Sequence, residues 1–336
     1  MKGKFIALFL ALALVSSSFV FAQDVSSPDY QAKKEALIGV PYTPDLNTDK
    51  APVRNENSIP FLTNCPESDR PTCLKEPFEA TAPGWVVSMP RNDDGSSVSI
   101  PLPFTFNLYG TNFNSIFINN NGNITFTAPL ATFTPFGFPS TPLAIVAPFF
   151  ADVDTRNLAS GLVYHKIETN RITIVWDSVG YFGNQVDKRN TFQLIISDGT
   201  DPLLGIGNNV CFSYGDMAWT TGSASGGIGG FFGSPATVGV NKGDGATFAT
   251  LGRFNRPGSF YGGPGVDTNG VSYLDCRSFC LNASNASNLC PVAQNFPGGN
   301  VNITAGNPYM GQYGFAAPEI SQIVSGGVTG VPPGMN

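Results

Sequence analysis

The sequence predicts a mostly β protein: an antiparallel β-sandwich or barrel-like single domain with long loops, stapled by disulfides. Three observations carry that prediction. Short apolar runs alternate with polar residues at a period of two. Gly, Asn and Asp turns separate these runs, with hardly any helical periodicity between them. Six cysteines stand in a chain whose first residues have the form of an export signal, a setting in which thiols are oxidised in pairs.

The chain opens Met-Lys-Gly-Lys, continues with the apolar run Phe5 to Val15, and reaches small residues ending at Ala22 before Gln23. Residues 1–22 read as a secretory signal peptide, too short in its apolar core to span a bilayer, so the expectation is a secreted, extracellular protein with no transmembrane segment. Residues 23–84 follow as an extended, polar, proline-rich leader with a small cysteine loop and a short helical segment expected at Gln31 to Leu37. Residues 85–275 carry the strand signals, and 276–336 form a cysteine-bearing, Gly/Pro-rich tail. Charged residues make up 12% of the chain, about half the usual ~25%. The net charge, 18 − 24 = −6, and the lack of a basic cluster exclude a nucleic-acid binder.

Ser99 to Phe106 alternates, and its prolines place it at a sheet edge. Ser115 to Asn119 and Asn123 to Thr127 flank Asn121-Gly122, a dipeptide suited to the positive φ angles of a type I′ hairpin turn. Leu143 to Arg156, LAIVAPFFADVDTR, reads as a buried strand that emerges into a polar turn. Pro148 within it calls for an edge or a bulge. Further strands are expected at Leu162 to Ile167, Arg171 to Trp176, Thr191 to Ser197, Val210 to Tyr214 and Ala236 to Val240.

The cysteines are Cys65, Cys73, Cys211, Cys276, Cys280 and Cys290, and six allow 15 connectivities. Proximity favours Cys65 with Cys73. Cys211 stands alone, so one of Cys276, Cys280 and Cys290 must reach back to it if all pair. Val210 and Phe212 share a face that Cys211 does not, so the sulfur points outward and the C-terminal segment is expected over the outside of that strand. Zinc is disfavoured: there is no C-x-x-C pair, and the only histidine, His165, lies elsewhere.

Asp152 and Asp154 are expected on one face of a strand end, about 7 Å apart between Cα atoms if extended. They suit capping of the next turn and pairing with Arg156. As hard oxygen ligands they are also the chain's calcium candidates, with Asn119 and Asn120 completing a shell that two carboxylates cannot fill. The glycine-rich Thr221 to Gly233 lacks the Lys-Ser/Thr ending of a phosphate loop and reads as a mobile loop anchored by Phe231 and Phe232. Sequons at Asn123, Asn282, Asn285 and Asn302 permit N-glycosylation in a eukaryotic secretory pathway.

Taken together, Leu102-Pro103-Phe104 with Tyr109-Gly110, Ile118 to Gly122, Phe136 to Pro139, Ile145 to Asp154, Gly161 to Tyr164, Asn190 to Gln193, Ser197-Asp198-Gly199, Trp219 to Gly222, Ala224 to Gly227 and Gly239 to Gly245 resemble the NIDO domain. That extracellular module is shared by nidogen, alpha-tectorin and mucin-4. The resemblance spans roughly Pro101 to Leu251, with Phe150 where the family commonly has Trp and His165 where another aromatic is usual. It implies cell-matrix or cell-surface adhesion and brings no residue-level binding site. The partners expected of such a chain are extracellular-matrix or cell-surface proteins or glycans, with self-association also open. A glycan-binding lectin-like module is the alternative, and a secreted hydrolase a second one. Catalysis by a Ser-His-Asp device would have to use His165, which reads as an ordinary sheet residue beside Val163 and Ile167. No cofactor is expected beyond calcium at Asp152 and Asp154.

Overall fold

In Ile100–Leu108 the residues Ile100, Leu102, Phe104, Phe106 and Leu108 are buried, while Pro101, Pro103 and Thr105 face outward. One apolar face per strand requires a second layer to cover it, and the fold is the pairing of two such layers. The computed structural model describes residues 24–42 and 73–284, with the backbone of 294–296 and 299–301.

In chain order the strands are β1 (Val86–Val87), β2 (Ile100–Leu108), β3 (Thr111–Asn119), β4 (Asn123–Thr125), β5 (Ile145–Phe150), β6 (Val153–Asp154), β7 (Val163–Ile167), β8 (Arg171–Tyr181), β9 (Gln185–Ser197), β10 (Val210–Met217), β11 (Ala236–Asn241), β12 (Phe248–Arg256), β13 (Asn269–Gly270), β14 (Ser278–Leu281), β15 (Gln294–Phe296) and β16 (Gly299–Val301). One sheet runs β1-β7-β8-β9-β10-β14, with β6 also paired to β8. The other runs β13-β12-β11-β5-β4-β3-β2 and is antiparallel except where β13 joins β12. A separate hairpin is formed by β15 and β16. This is an open sandwich rather than a closed barrel.

The main core lies between the sheets. Ile172, Ile174, Trp176, Phe192, Leu194 and Phe212 of the first sheet meet Phe104, Phe106, Ile116, Ile124, Val146 and Phe149 of the second or its flanks. Burying each such side chain contributes about 1.5–3 kcal/mol. The Trp176 ring stacks on Phe192 at 5.0 Å, and Phe192 meets Phe149 at 5.5 Å. Polar ties cross the same gap: the Trp176 indole N–H donates to the Asn120 carbonyl at 3.0 Å, and the Tyr214 hydroxyl to the Pro148 carbonyl at 2.7 Å.

The edge position expected for Ser99 to Phe106 holds, since β2 closes its sheet. Pro148 takes the bulge and not the edge: β5 is central between β4 and β11, and its register with β11 shifts between Thr237 and Gly239. Both faces of β5 are buried, because Leu130, Phe136 and Phe138 form a second cluster on the face opposite the main core. The strand therefore does not emerge at the surface: Asp152 is 1% and Asp154 0% exposed. The Asn121-Gly122 link also differs from the two-residue turn expected. Asn119 pairs with Asn123, leaving three residues in the loop, and only Gly122 among them has positive φ, at 74°.

The disulfides correct one expected pairing. Cys73 joins Cys276 and not Cys65, while Cys211 joins Cys280. As expected, a C-terminal cysteine reaches back to Cys211, whose sulfur lies with Ile195 and Leu204 on the face away from Val210 and Phe212. The segment carrying Cys280 does not lie over the outside of the strand. It is β14, paired beside β10 with Cys211 opposite Cys280. Cys73–Cys276 closes a separation of 203 residues, worth about 5 kcal/mol in the chain-entropy account. The stretch after Cys73 crosses the outer face of the first sheet, where Glu76 pairs with Lys166 at 2.7 Å and exchanges backbone bonds with the Gln193 amide. Cys65 and Cys290 lie outside the described residues.

Gly122 permits two things at once. It adopts a left-handed backbone, and a Cβ added there would sit 1.9 Å from the Phe149 carbonyl oxygen. Gly122→Ala is therefore expected to cost at least about 2 kcal/mol, read as a fall in the urea midpoint with the disulfides intact. An unchanged midpoint would contradict this placement.

Candidate functional site

The leader is not merely extended. Residues Pro28–Glu35 form a helix, α1, slightly ahead of the expected Gln31 to Leu37. Ser27 caps it by accepting from the Tyr30 N–H at 3.2 Å, Pro28 opens it, and Asp29 at its start and Lys33 and Lys34 at its end suit the helix dipole. The helix is polar and short, below the length that holds in water by itself. Its place is fixed by side chains four residues apart on one face, Tyr30 and Lys34, both buried. The neighbouring Lys33 stays in solvent with Asp29.

The Lys34 ammonium enters an acidic pit. Its Nζ donates to Asp152 Oδ1 at 2.7 Å, to Asp94 Oδ2 and Oδ1 at 2.8 and 2.9 Å, and to Asp93 Oδ2 at 3.0 Å. The rings of Phe182 and Phe133 flank it, with centroids 4.2 and 4.4 Å away. Tyr30 donates its hydroxyl to Asp94 Oδ2 at 2.9 Å, and Gln31 accepts from Arg156 at 2.5 Å. Asp93 and Asp94 come from the loop between β1 and β2, and Asp152 from the turn between β5 and β6. Asn121 of the β3–β4 turn steadies the carboxylates by donating to Asp94 Oδ1 at 2.8 Å. The glycine-rich loop supplies a wall: a Cβ on Gly222 would sit 2.4 Å from Asp152 Oδ2, and one on Gly226 would sit 2.6 Å from Tyr42 Cβ of the leader. That loop is pinned by backbone bonds from Thr220 to Gly230 and from Ser234 to Ser225, in place of the mobile loop expected. Phe231 packs against the core while Phe232 is 48% exposed.

Four carboxylates, Asp93, Asp94, Asp152 and Asp154, face two cations, Lys34 and Arg156. Burial, with repulsion from Asp94 and Asp154, raises Asp93 to about 7 against the pull of Lys34 and Arg156. Burial likewise holds Asp152 well above the ordinary carboxylate range, against the Lys34 charge. For Lys34 burial pulls the other way, and the charges of Asp152, Asp94 and Asp93 outweigh it, so the ammonium keeps its proton more firmly than in water.

The two aspartates singled out by spacing go to different partners. Asp154 caps and pairs with Arg156 as expected, accepting its backbone N–H at 2.9 Å and its guanidinium at 2.7 Å. Asp152 instead turns to Lys34. The oxygens that converge within 4.8 Å are those of Asp93, Asp94 and Asp152, and Lys34 Nζ bonds to all three side chains. Asn119 and Asn120 bond elsewhere: the Asn119 amide donates to Asn123 at 2.7 Å, and that of Asn120 to the carbonyls of Asp93 and Val153. Asn123 is itself buried in this amide cluster, leaving no room for a glycan in the folded protein. Asn282 is half-buried and accepts from the Ser284 backbone, whereas Asn285 and Asn302 lie outside the described residues. His165 meets the Ser88 hydroxyl at 3.0 Å through Nδ1, and burial lowers its pKa, in keeping with a neutral sheet residue. Lys34, Tyr30, Asp93, Asp94, Phe133 and Phe182 were not singled out from sequence.

A family model described as NIDO related matches residues 72–259. The chain is 32% identical to alpha-tectorin of Homo sapiens over 217 residues, covering 55% of this chain and 9% of that protein. Alpha-tectorin of Gallus gallus is 32% identical over 199 residues, 51% of this chain and 9% of that protein. Nidogen of Drosophila melanogaster is 25% identical over 177 residues, 44% of this chain and 13% of that protein. The chain thus spans only about a tenth of the length of these relatives. No solved structure matches it. Among the described residues, no helix is long and apolar enough to cross a membrane.

Asp93 makes the pit visible to pH. Because its carboxyl sits higher in the folded protein than in the unfolded chain, its stabilising contribution is complete below about pH 4 and is lost as pH rises through about 7. Asp93→Asn removes that dependence. The difference in melting temperature, variant minus wild type, is expected to rise between pH 4 and 7; a flat or falling difference contradicts the raised carboxyl.

Proposed function

The chain belongs to the NIDO-related family, and from that membership we propose that it acts outside the cell as a non-catalytic adhesion or matrix component. The relatives named nidogen and alpha-tectorin support that setting, as do the two disulfides and the export signal read in residues 1–22.

The single observation that best supports a non-catalytic role is the state of the acidic pit. Asp93 and Asp152 have raised pKa values of the kind a general acid uses. Both are closed to solvent and bonded to Lys34, so a substrate has no approach to them while α1 is seated. Contacts fall instead to the sandwich rim, where rigid strands present loops. Phe232 and Phe260 are 48% and 66% exposed, and the Phe232 N–H is bonded to the Asn255 carbonyl at the end of β12, just before the loop that carries Phe260. Exposed rings held at one end of a sheet are suited to anchoring a partner.

The test is binding of the purified mature protein to immobilised surface or matrix material of its own source. Phe232→Ser with Phe260→Ser is expected to weaken retention at least tenfold with the melting temperature unchanged. Equal retention by the double variant, or turnover of a glycan or peptide bond by the purified wild type, contradicts the proposal.

A further inference from the structure

The pit is built for an organic ammonium rather than a metal ion. Calcium takes six to eight oxygens, and magnesium keeps water; neither makes use of aromatic faces. Here two rings stand within 4.4 Å of the cation, as ammonium recognition requires. Lys34 is thus a ligand carried on a tether: α1 contributes Tyr30 and Lys34 to the sandwich, and its other side chains are half-buried or exposed.

We propose that this ligand is exchanged between copies, so that α1 of one chain seats in the acidic pit of a second and links the two. The contacts are the same in either case, and only the tether decides which pit is filled. Thirty residues, 43 to 72, separate the described helix segment from Cys73. Fully extended they reach about 100 Å. A domain of this size has a radius of gyration of about 17 Å, so a neighbouring pit lies within range. By mass action a copy fills its own pit when dilute, and exchange between copies grows as concentration rises. Withdrawal uncovers the pit and the Phe133 and Phe182 rings but not the core between the sheets, because the helix itself buries only a tyrosine and a lysine. Leu37, Ile38 and Val40, 39–52% exposed just beyond the helix, add apolar surface where two exchanging chains cross. Homotypic association by this route goes beyond the adhesive role and does not depend on it.

Two variants of the mature chain divide the ligand from the receptor. Lys34→Glu sets a further acid against the pit, expels its own helix and leaves the receptor open. Asp94→Asn with Asp152→Asn keeps Lys34 but spoils the receptor. By sedimentation at micromolar concentration each alone is expected to be monomeric and their mixture to form a 1:1 pair, while wild type, whose own helix competes for each pit, is monomeric there and shows a dimer fraction only as its concentration is raised well above that range. A synthetic peptide of residues 24–42 should bind the Lys34→Glu chain at least tenfold more tightly than the same peptide carrying Lys34→Gln. If Lys34→Glu does not fold by near-ultraviolet circular dichroism, Lys34→Met serves as the open receptor in the peptide measurement. A folded receptor that ignores the peptide overturns the proposal, as does one that instead takes up Ca²⁺. The readout is the mass and peptide affinity of purified protein, so its failure leaves binding to matrix material untouched.

Discussion

Burial of the Lys34 ammonium among three aspartates is the interaction on which the rest of this structure depends. Removing a charge from water costs several kcal/mol even after relaxation, and four ions in one closed site multiply that cost. The geometry offsets it by giving Nζ carboxylate partners at 2.7–3.0 Å and two aromatic faces. Charge still does not balance, because Asp154 makes a fourth carboxylate and Arg156 is only the second cation. The cluster answers by holding protons, which is the physical content of the raised Asp93 and Asp152.

The sandwich supplies the rigidity that makes such a site tolerable. The bulge at Pro148 lets β5 remain central and still swing its end toward the β3–β4 turn, so that Asp152 arrives beside Asn121. Gly122 allows that turn to touch β5, and Gly222 allows the glycine-rich loop to close over Asp152. Each contact is one a side chain would block, so backbone approach and carboxylate placement are set together. A helix with little affinity for the core is then fixed by two side chains reaching into a preformed receptor.

The sheet was largely legible because its information is local. Alternation in β2, the apolar face of β8 and the outward sulfur of Cys211 follow from period two, and each stands where that period puts it. The strands after β11 escaped notice: Phe248 to Arg256 of β12 shows no clean alternation, and β13 to β16 are only two to four residues long. The cysteine partner of Cys73 was hidden because chain proximity says nothing about a loop that returns after 203 residues. The site itself was half legible. Asp152 and Asp154 stood out as charges at the end of an apolar run, but their partners are 118 and two residues away, and only the second distance is readable. Nothing local distinguishes Lys34 from Lys33, since both end a polar helix. A signal was nonetheless present: Tyr30 and Lys34 are four apart, and Asp93-Asp94 is an adjacent acid pair in a chain poor in charge.

The most direct test of the central claim is amide hydrogen exchange on the chain carrying Lys34→Met, compared with wild type. If the ammonium in the pit holds the helix, residues 28–35 lose their protection while β5, β8 and β9 keep theirs. Unchanged protection of 28–35 in the folded variant would show that something other than Lys34 seats the leader, and the account would fail at its base.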